Sequence, residues 1–145
     1  MDTKEKIATY LEQHRYLTLA TASVDGTPKA ATVSYASEGT DIYFSTGVTT
    51  AKFKNILENP HVALAVDEDY DDWATIQGVQ LEGVAKILEK DEEKAYALKL
   101  LTCKFPQIAH MPPSINMRLL KVEPSVAYFL DNSQGFGHRE KTTMP

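Results

Sequence analysis

The sequence predicts a mainly β fold of the α+β kind, an antiparallel barrel of about six to seven strands with three short helices flanking it. Three observations predict it. Apolar and polar residues alternate in short runs joined by tight turns, the pattern of consecutive hairpins. Only three segments carry helical periodicity, so the strand–helix alternation of a doubly wound parallel sheet is missing. Gly78 and Gly83 interrupt a long extended segment from Thr75 to Leu88, and glycines inside a strand pattern mark bulges or corners where a sheet curls.

The elements follow in order. Asp2 and Glu5 have the spacing of a capping box, and Ile7, Ala8 and Leu11 share a face, which predicts a helix from about Thr3 to His14. The alternating run Tyr16–Ala22, the Asp25-Gly26 turn with Pro28, and the returning run Lys29–Ala36 predict a hairpin. A turn at Glu38–Asp41 leads into a strand from Ile42, then a short helix that must stop near Asn59-Pro60, because the residue before proline leaves the helical region. His61–Val66 reads as a buried strand, Asp67–Asp72 as an acidic loop, and Asp91 to about Lys104 as a helix with Ala95, Leu98 and Leu101 or Thr102 on one side. Pro112-Pro113 marks a loop. Ile115–Val122 and Val126–Leu130 supply the last two strands before a polar tail, giving a domain over 1–131 and a tail over 132–145.

A chain of 145 residues, 43% of them hydrophobic, is long enough for one cored domain and too short for two. Its formal net charge of −5 offers no basic surface to neutralise a nucleic-acid backbone, so nucleic acid is not an expected partner. Cys103, the lone cysteine, excludes an intrachain disulfide and a cysteine-based zinc site. It sits among Leu100, Leu101 and Phe105 and reads as a small buried hydrophobe. The amino terminus lacks the apolar stretch of a signal peptide, and no run approaches membrane-spanning length, which reads as a cytoplasmic protein with no membrane partner.

Several chemistries lack their spacings: there is no G-x-S-x-G elbow, no phosphate-binding G-x-x-x-x-G-K-[ST] loop and no H-E-x-x-H pair. Gly135-Phe136-Gly137 reads as a turn. His14, His61, His110 and His138 have no metal-ligand spacing, so no metal site and no self-contained catalytic set of side chains is expected. The informative stretch is Ile42 to Pro60. It runs from a strand through a hydroxyl-rich turn into a helix start, placing Ser45, Thr46, Thr49 and Thr50, free backbone N–H groups and the Lys52 ammonium where they suit a phosphate monoester. Taken alone, the segment favours the plainer reading, with those hydroxyls as helix caps and Lys52 as a solvated lysine.

In order and spacing, Leu19-Ala20-Thr21-Ala22, Asp25-Gly26, Tyr43-Phe44-Ser45-Thr46, Thr50-Ala51-Lys52 and Asn59-Pro60 resemble the pyridoxamine 5′-phosphate oxidase-like split β-barrel flavoproteins, over roughly residues 1 to 131. Gly78–Gly83 and Asn132–Gly137 are similar to a small bacterial branch of that group. The resemblance implies FMN at the interface of a homodimer, with phosphate contacts from Thr46, Thr50 and Lys52 and help from Lys29. It implies that the strand Thr32-Val33-Ser34 presents backbone groups to the flavin edge, and it makes Gln77 a candidate ring or ribityl contact. Authentic pyridoxamine phosphate oxidases add a tryptophan and an arginine–histidine constellation near the carboxyl end. Here the only tryptophan is Trp73, in the acidic loop, and the arginines are Arg15, Arg118 and Arg139. No second cationic clamp for a substrate phosphate is evident, which argues against pyridoxamine phosphate as substrate.

Three functions stay open at this level. The first is an FMN-dependent oxidoreductase acting with a small-molecule electron donor or acceptor, the flavin supplying the redox chemistry. The second is a non-catalytic module holding flavin, deazaflavin or haem, since one fold hosts many functions. The third is a cofactor-free interaction barrel.

Overall fold

The computed structural model describes residues 1–112 and 116–145. Helix α1 spans Thr3–Gln13, and its N-cap is the expected one: the Asp2 carboxylate accepts from the Glu5 N–H at 2.8 Å. Ile7, Tyr10 and Leu11 form its buried stripe. β1 (Tyr16–Ala22) and β2 (Pro28–Ser34) make the predicted hairpin, in register from Tyr16 opposite Ser34 to Ala22 opposite Pro28. At the turn between them, Gly26 takes φ +89°, a left-handed conformation that favours glycine.

The strand expected to continue to Ala36 breaks at Tyr35. β3 (Ala36–Glu38) leaves β1 and pairs instead with β4 (Asp41–Gly47). Tyr35 makes this corner because it is fully buried, its hydroxyl donating to Leu11 O at 2.7 Å and its N–H to Arg15 O at 3.1 Å. The remaining elements are α2 (Ala51–Glu58), β5 (His61–Val66), β6 (Gln77–Ile87), α3 (Asp91–Lys104), β7 (Met117–Asp131) and β8 (Arg139–Thr143).

The strands form one antiparallel sheet in the order β2-β1-β5-β6-β7-β4-β3, with β8 added beside β7. Its two ends, β2 and β3, are joined through Tyr35 alone, so the sheet has to curl back on itself into a split barrel. Leu19, Tyr35, Ile42, Phe44, Leu81, Leu120 and Val122 fill the interior and are shut off from water, with α1 packed over the same core.

Four expectations are corrected. The two last strands are one: β7 runs through Pro124, which is tolerated where β6 shifts register between Glu82 and Gly83 and no ladder N–H is needed. Gly83 alone is a bulge glycine, because Gly78 pairs regularly with Leu130 and lies close to Val66 O. On α3 the buried residues are Ala97 and Leu101, with Leu100 beside them, whereas Ala95, Leu98 and Cys103 are exposed. Its apolar residues lie all round the helix, so periodicity could not fix its phase. The residues after 131 turn through Gly135 and Gly137, at φ +124° and +78°, and return as β8. Pro113 of the expected loop and Ile115 of the expected strand lie outside the described residues.

Candidate functional site

β4 delivers the chain to the start of α2. Its alternation sends Ile42, Phe44 and Thr46 inward and leaves Ser45 exposed on the opposite face, so Ser45 and Thr46 cannot serve one ligand together. Thr46 is only 2% exposed. The turn from Gly47 to Thr50 is fixed by its own hydrogen bonds: the Thr50 N–H and hydroxyl both donate to Gly47 O, at 3.3 and 2.9 Å, and the Val48 N–H donates to Asn116 O at 2.8 Å. With its proton committed there, the Thr50 Oγ1 accepts from Thr46 Oγ1 at 3.1 Å and from the Phe53 N–H at 3.3 Å.

Thr50 is therefore the N-cap of α2, with Thr46 behind it, and both hydroxyls shape the turn from within. What the turn presents outward is different. The Ala51 and Lys52 N–H groups have no acceptor inside the helix, Thr49 is exposed beside them, and Lys52 is half-buried with no carboxylate paired to it among the described residues. An ammonium, two N–H groups and a hydroxyl at the positive end of a helix are groups whose chemistry suits an anion.

α2 is tied to the hairpin by Asn55, whose Nδ2 donates to Thr21 Oγ1 at 3.0 Å. Thr21 is 3% exposed and stands opposite Lys29 in the β1–β2 ladder. Directly opposed residues share a face, so Lys29 comes to the side of β2 that α2 covers. Sequence reasoning passed over Thr21 and Asn55; the signal was an inward polar residue ending the series Leu17, Leu19, Thr21. It also left Arg118 unplaced. Arg118 stands opposite Thr46 in the β4–β7 ladder, adding a guanidinium to this end of the sheet.

The other candidates separate from this group. Val33 points into the core opposite Leu17, while Thr32 and Ser34 are exposed on the outer face opposite Thr18 and Tyr16. β2 is the terminal strand of the sheet, so its free edge carries backbone groups outside the ladder. Gln77 pairs with Asp131 at the far end of β7, whose near end faces Thr46. Along a strand of this length that separation reaches roughly 40 Å, too far for one flavin to touch both in a single chain. Gln77 O instead accepts from the Tyr10 hydroxyl at 3.1 Å, and the Tyr70 hydroxyl lies 3.0 Å from the Tyr10 hydroxyl oxygen. Burial, then the bond from Tyr70, push the Tyr10 phenol well above its ordinary range.

Comparison with known proteins gives the family and the fold. A family model described as pyridoxamine 5′-phosphate oxidase matches residues 3–131. General stress protein 26 of Bacillus subtilis (strain 168) is 28% identical over 123 residues, 85% of this chain and 84% of that protein. The structure of general stress protein 26 from Bacillus anthracis superposes with a TM-score of 0.71 at 25% identity, over 97% of this chain and 98% of its own. A heme binding protein from Mycobacterium smegmatis superposes over 99% of this chain with a TM-score of 0.82. At 20% identity that likeness is one of fold, and this chain spans 59% of the mycobacterial protein's length.

Proposed function

This chain belongs to the pyridoxamine 5′-phosphate oxidase family, and from that membership we propose that it is an FMN-binding oxidoreductase acting on a small molecule. The observation that carries the reading is the opening turn of α2. There Lys52, Thr49 and the Ala51 and Lys52 N–H groups supply the donors that a phosphate would need, and Lys29 lies on a strand that α2 packs against. The residues present fit a phosphate monoester, with Thr46 and Thr50 holding the turn in shape. Bound FMN would supply hydride and electron transfer. The free edge of β2 at Thr32-Val33-Ser34 provides backbone groups for the ring edge, and Gln77 is assigned no contact with a flavin held by its own chain's turn.

The protein acts, in this reading, as a cytoplasmic homodimer with the cofactor at the interface and a small electron donor or acceptor as partner. The outer sheet face supports the dimer. Ala20, Ala22, Pro28, Ala63 and Val84 line a shallow groove of about 540 Å³ there, an apolar surface that a second copy would cover. No described helix is long and apolar enough to cross a membrane.

A haem-holding module on the same barrel is the second reading, favoured by the likeness to the mycobacterial heme binding protein. His14 and His138 are engaged by Glu68 and Glu140, which leaves exposed His61 and His110; of these His61, on the rim of the apolar groove, is the better-placed imidazole. One experiment separates the two: fluorescence titration with FMN and absorption titration with haemin on wild type and Lys52→Ala. The flavin reading expects tight FMN binding, weakened in the variant by about 1.5–3 kcal/mol, the scale of a charge-assisted hydrogen bond. Unchanged FMN affinity in Lys52→Ala, or a Soret band with no flavin uptake, overturns it.

A further inference from the structure

Helix α3 packs over the outer face of β4, the face opposite Thr46, and frames a cavity of about 330 Å³ there. Its floor is Tyr43 and Leu88, 4% and 3% exposed. Tyr96 of α3 forms one wall, and the two tyrosine rings meet edge to face with centroids 6.3 Å apart and planes at 76°.

Tyr43 is the residue that points to a ligand. Burial pushes its phenol up, so the hydroxyl keeps its proton and is a donor. The side chain that reaches this hydroxyl is Lys121, which stands opposite Tyr43 in the β4–β7 ladder with Nζ 5.6 Å from the ring centroid. An ammonium has donors only, so no described residue accepts the Tyr43 proton. A buried hydroxyl costs free energy until its proton finds an acceptor, and the cavity is the space left for one.

The rest of the lining sets the charge of the molecule that could supply it. Glu92 and Glu93 come from the first turn of α3, and Glu38 of β3 accepts from the Tyr96 phenol. Lys121 is already met by Asp41 at 3.6 Å. Carboxylates at a helix start answer its dipole and by themselves indicate nothing more. Beside two tyrosine rings and a phenol without an acceptor, they repel an anion and attract a cation.

We propose that this cavity binds a small organic cation, a short-chain amine that also carries a neutral oxygen. The ammonium sits among Glu38, Glu92 and Glu93, the oxygen accepts from Tyr43, and the aliphatic body between them lies on Leu88 and the Tyr96 ring. Because the cavity lies on the other face of β4 from Thr46, the site stands whether or not the α2 turn holds FMN.

The test is calorimetric titration of the full chain at low salt with three probes of one length: a five-carbon amino alcohol with its ammonium and hydroxyl at opposite ends, pentylamine and pentanol. The amino alcohol should bind with Kd on the order of 1 mM or tighter, pentylamine roughly three- to tenfold more weakly, the worth of one hydrogen bond, and pentanol more weakly than either. Tyr43→Phe should lower the amino alcohol to the affinity of pentylamine and leave pentylamine unchanged. The double exchange Glu92→Gln/Glu93→Gln should weaken both amines by roughly threefold and leave pentanol unchanged. Absence of amine binding at about 10 mM, pentanol binding as well as the amines, or amine affinities unmoved by the glutamate exchange overturns the proposal. So does a Tyr43→Phe protein that still separates the amino alcohol from pentylamine. If Tyr43→Phe does not fold, wild type decides alone: a preference for the amino alcohol over pentylamine supports the site, and equal affinity overturns it.

Discussion

At Gly83 there is no room for a methyl group. A Cβ would lie 2.6 Å from Glu123 O and 2.9 Å from Pro124 Cα, both backbone atoms of the opposing bulge. Gly83→Ala must push β6 and β7 apart, and it should cost about 1–3 kcal/mol, read as a lower urea midpoint with an unchanged slope. Thr50 carries a different kind of weight. Its hydroxyl caps α2 and receives Thr46, so Thr50→Ala should lose about 0.5–2 kcal/mol of stability and weaken FMN binding by loosening the turn. Thr50→Ser keeps the cap and should restore both. If Thr50→Ala bound FMN normally despite lower stability, the turn's shape would not matter to the ligand.

Between elements, two long-range ties set the pH response. Glu140 of β8 accepts from Thr3 Oγ1 at 2.8 Å and from Lys6 Nζ at 3.1 Å on α1, and its Oε2 pairs with His138. The Thr3 bond first, then those of His138 and Lys6, hold its carboxyl down at about 2. The unfolded chain takes up that proton more readily, so the tie stabilises above the ordinary glutamate range and is lost as pH falls toward 2. Melting temperatures from pH 5 to 2 should fall less steeply in Glu140→Gln than in wild type. Lys104 responds in the opposite limb. Its ammonium lies 4.0 Å above the Tyr35 ring, and desolvation, then Arg15, lower it to about 8 from 10.5. Stability should therefore rise between about pH 8 and 10.5, where only the unfolded chain still holds the proton, and Lys104→Met should flatten that rise in thermal scans. At this scale the sequence was readable where a local rule had no rival. Asp2 declared its cap, and Gly26 its turn. It was unreadable where tertiary contacts overruled the pattern. Tyr35 continues the alternation of β2 yet turns the corner, Pro124 looks like a strand end yet sits in a bulge, and Arg139–Thr143 has no apolar residue to announce a strand. The α2 turn was legible as a hydroxyl-rich helix start, but Lys29's place on the side that α2 covers required the Thr21–Asn55 bond, and Gln77's separation required knowing which strand β7 joins to which.

For the whole molecule, ligand and fold are linked by mass action. If FMN binds only the folded chain, a hundredfold excess over Kd should add about 2.7 kcal/mol, raising Tm by roughly 5–10 °C for a chain of this size. The increment should shrink in Lys52→Ala. A sedimentation measurement giving twice the 16.1 kDa chain mass would support the dimer. Finally, β7 stands between β6 and β4, and it is made after both. Until β7 leaves the ribosome, the β3–β4 ribbon has no slot in the sheet and the β1–β2–β5–β6 layer has a bare flank. The nascent barrel thus waits for its seventh strand before it can close, and a truncated product ending before Met117 should be sticky and quickly degraded.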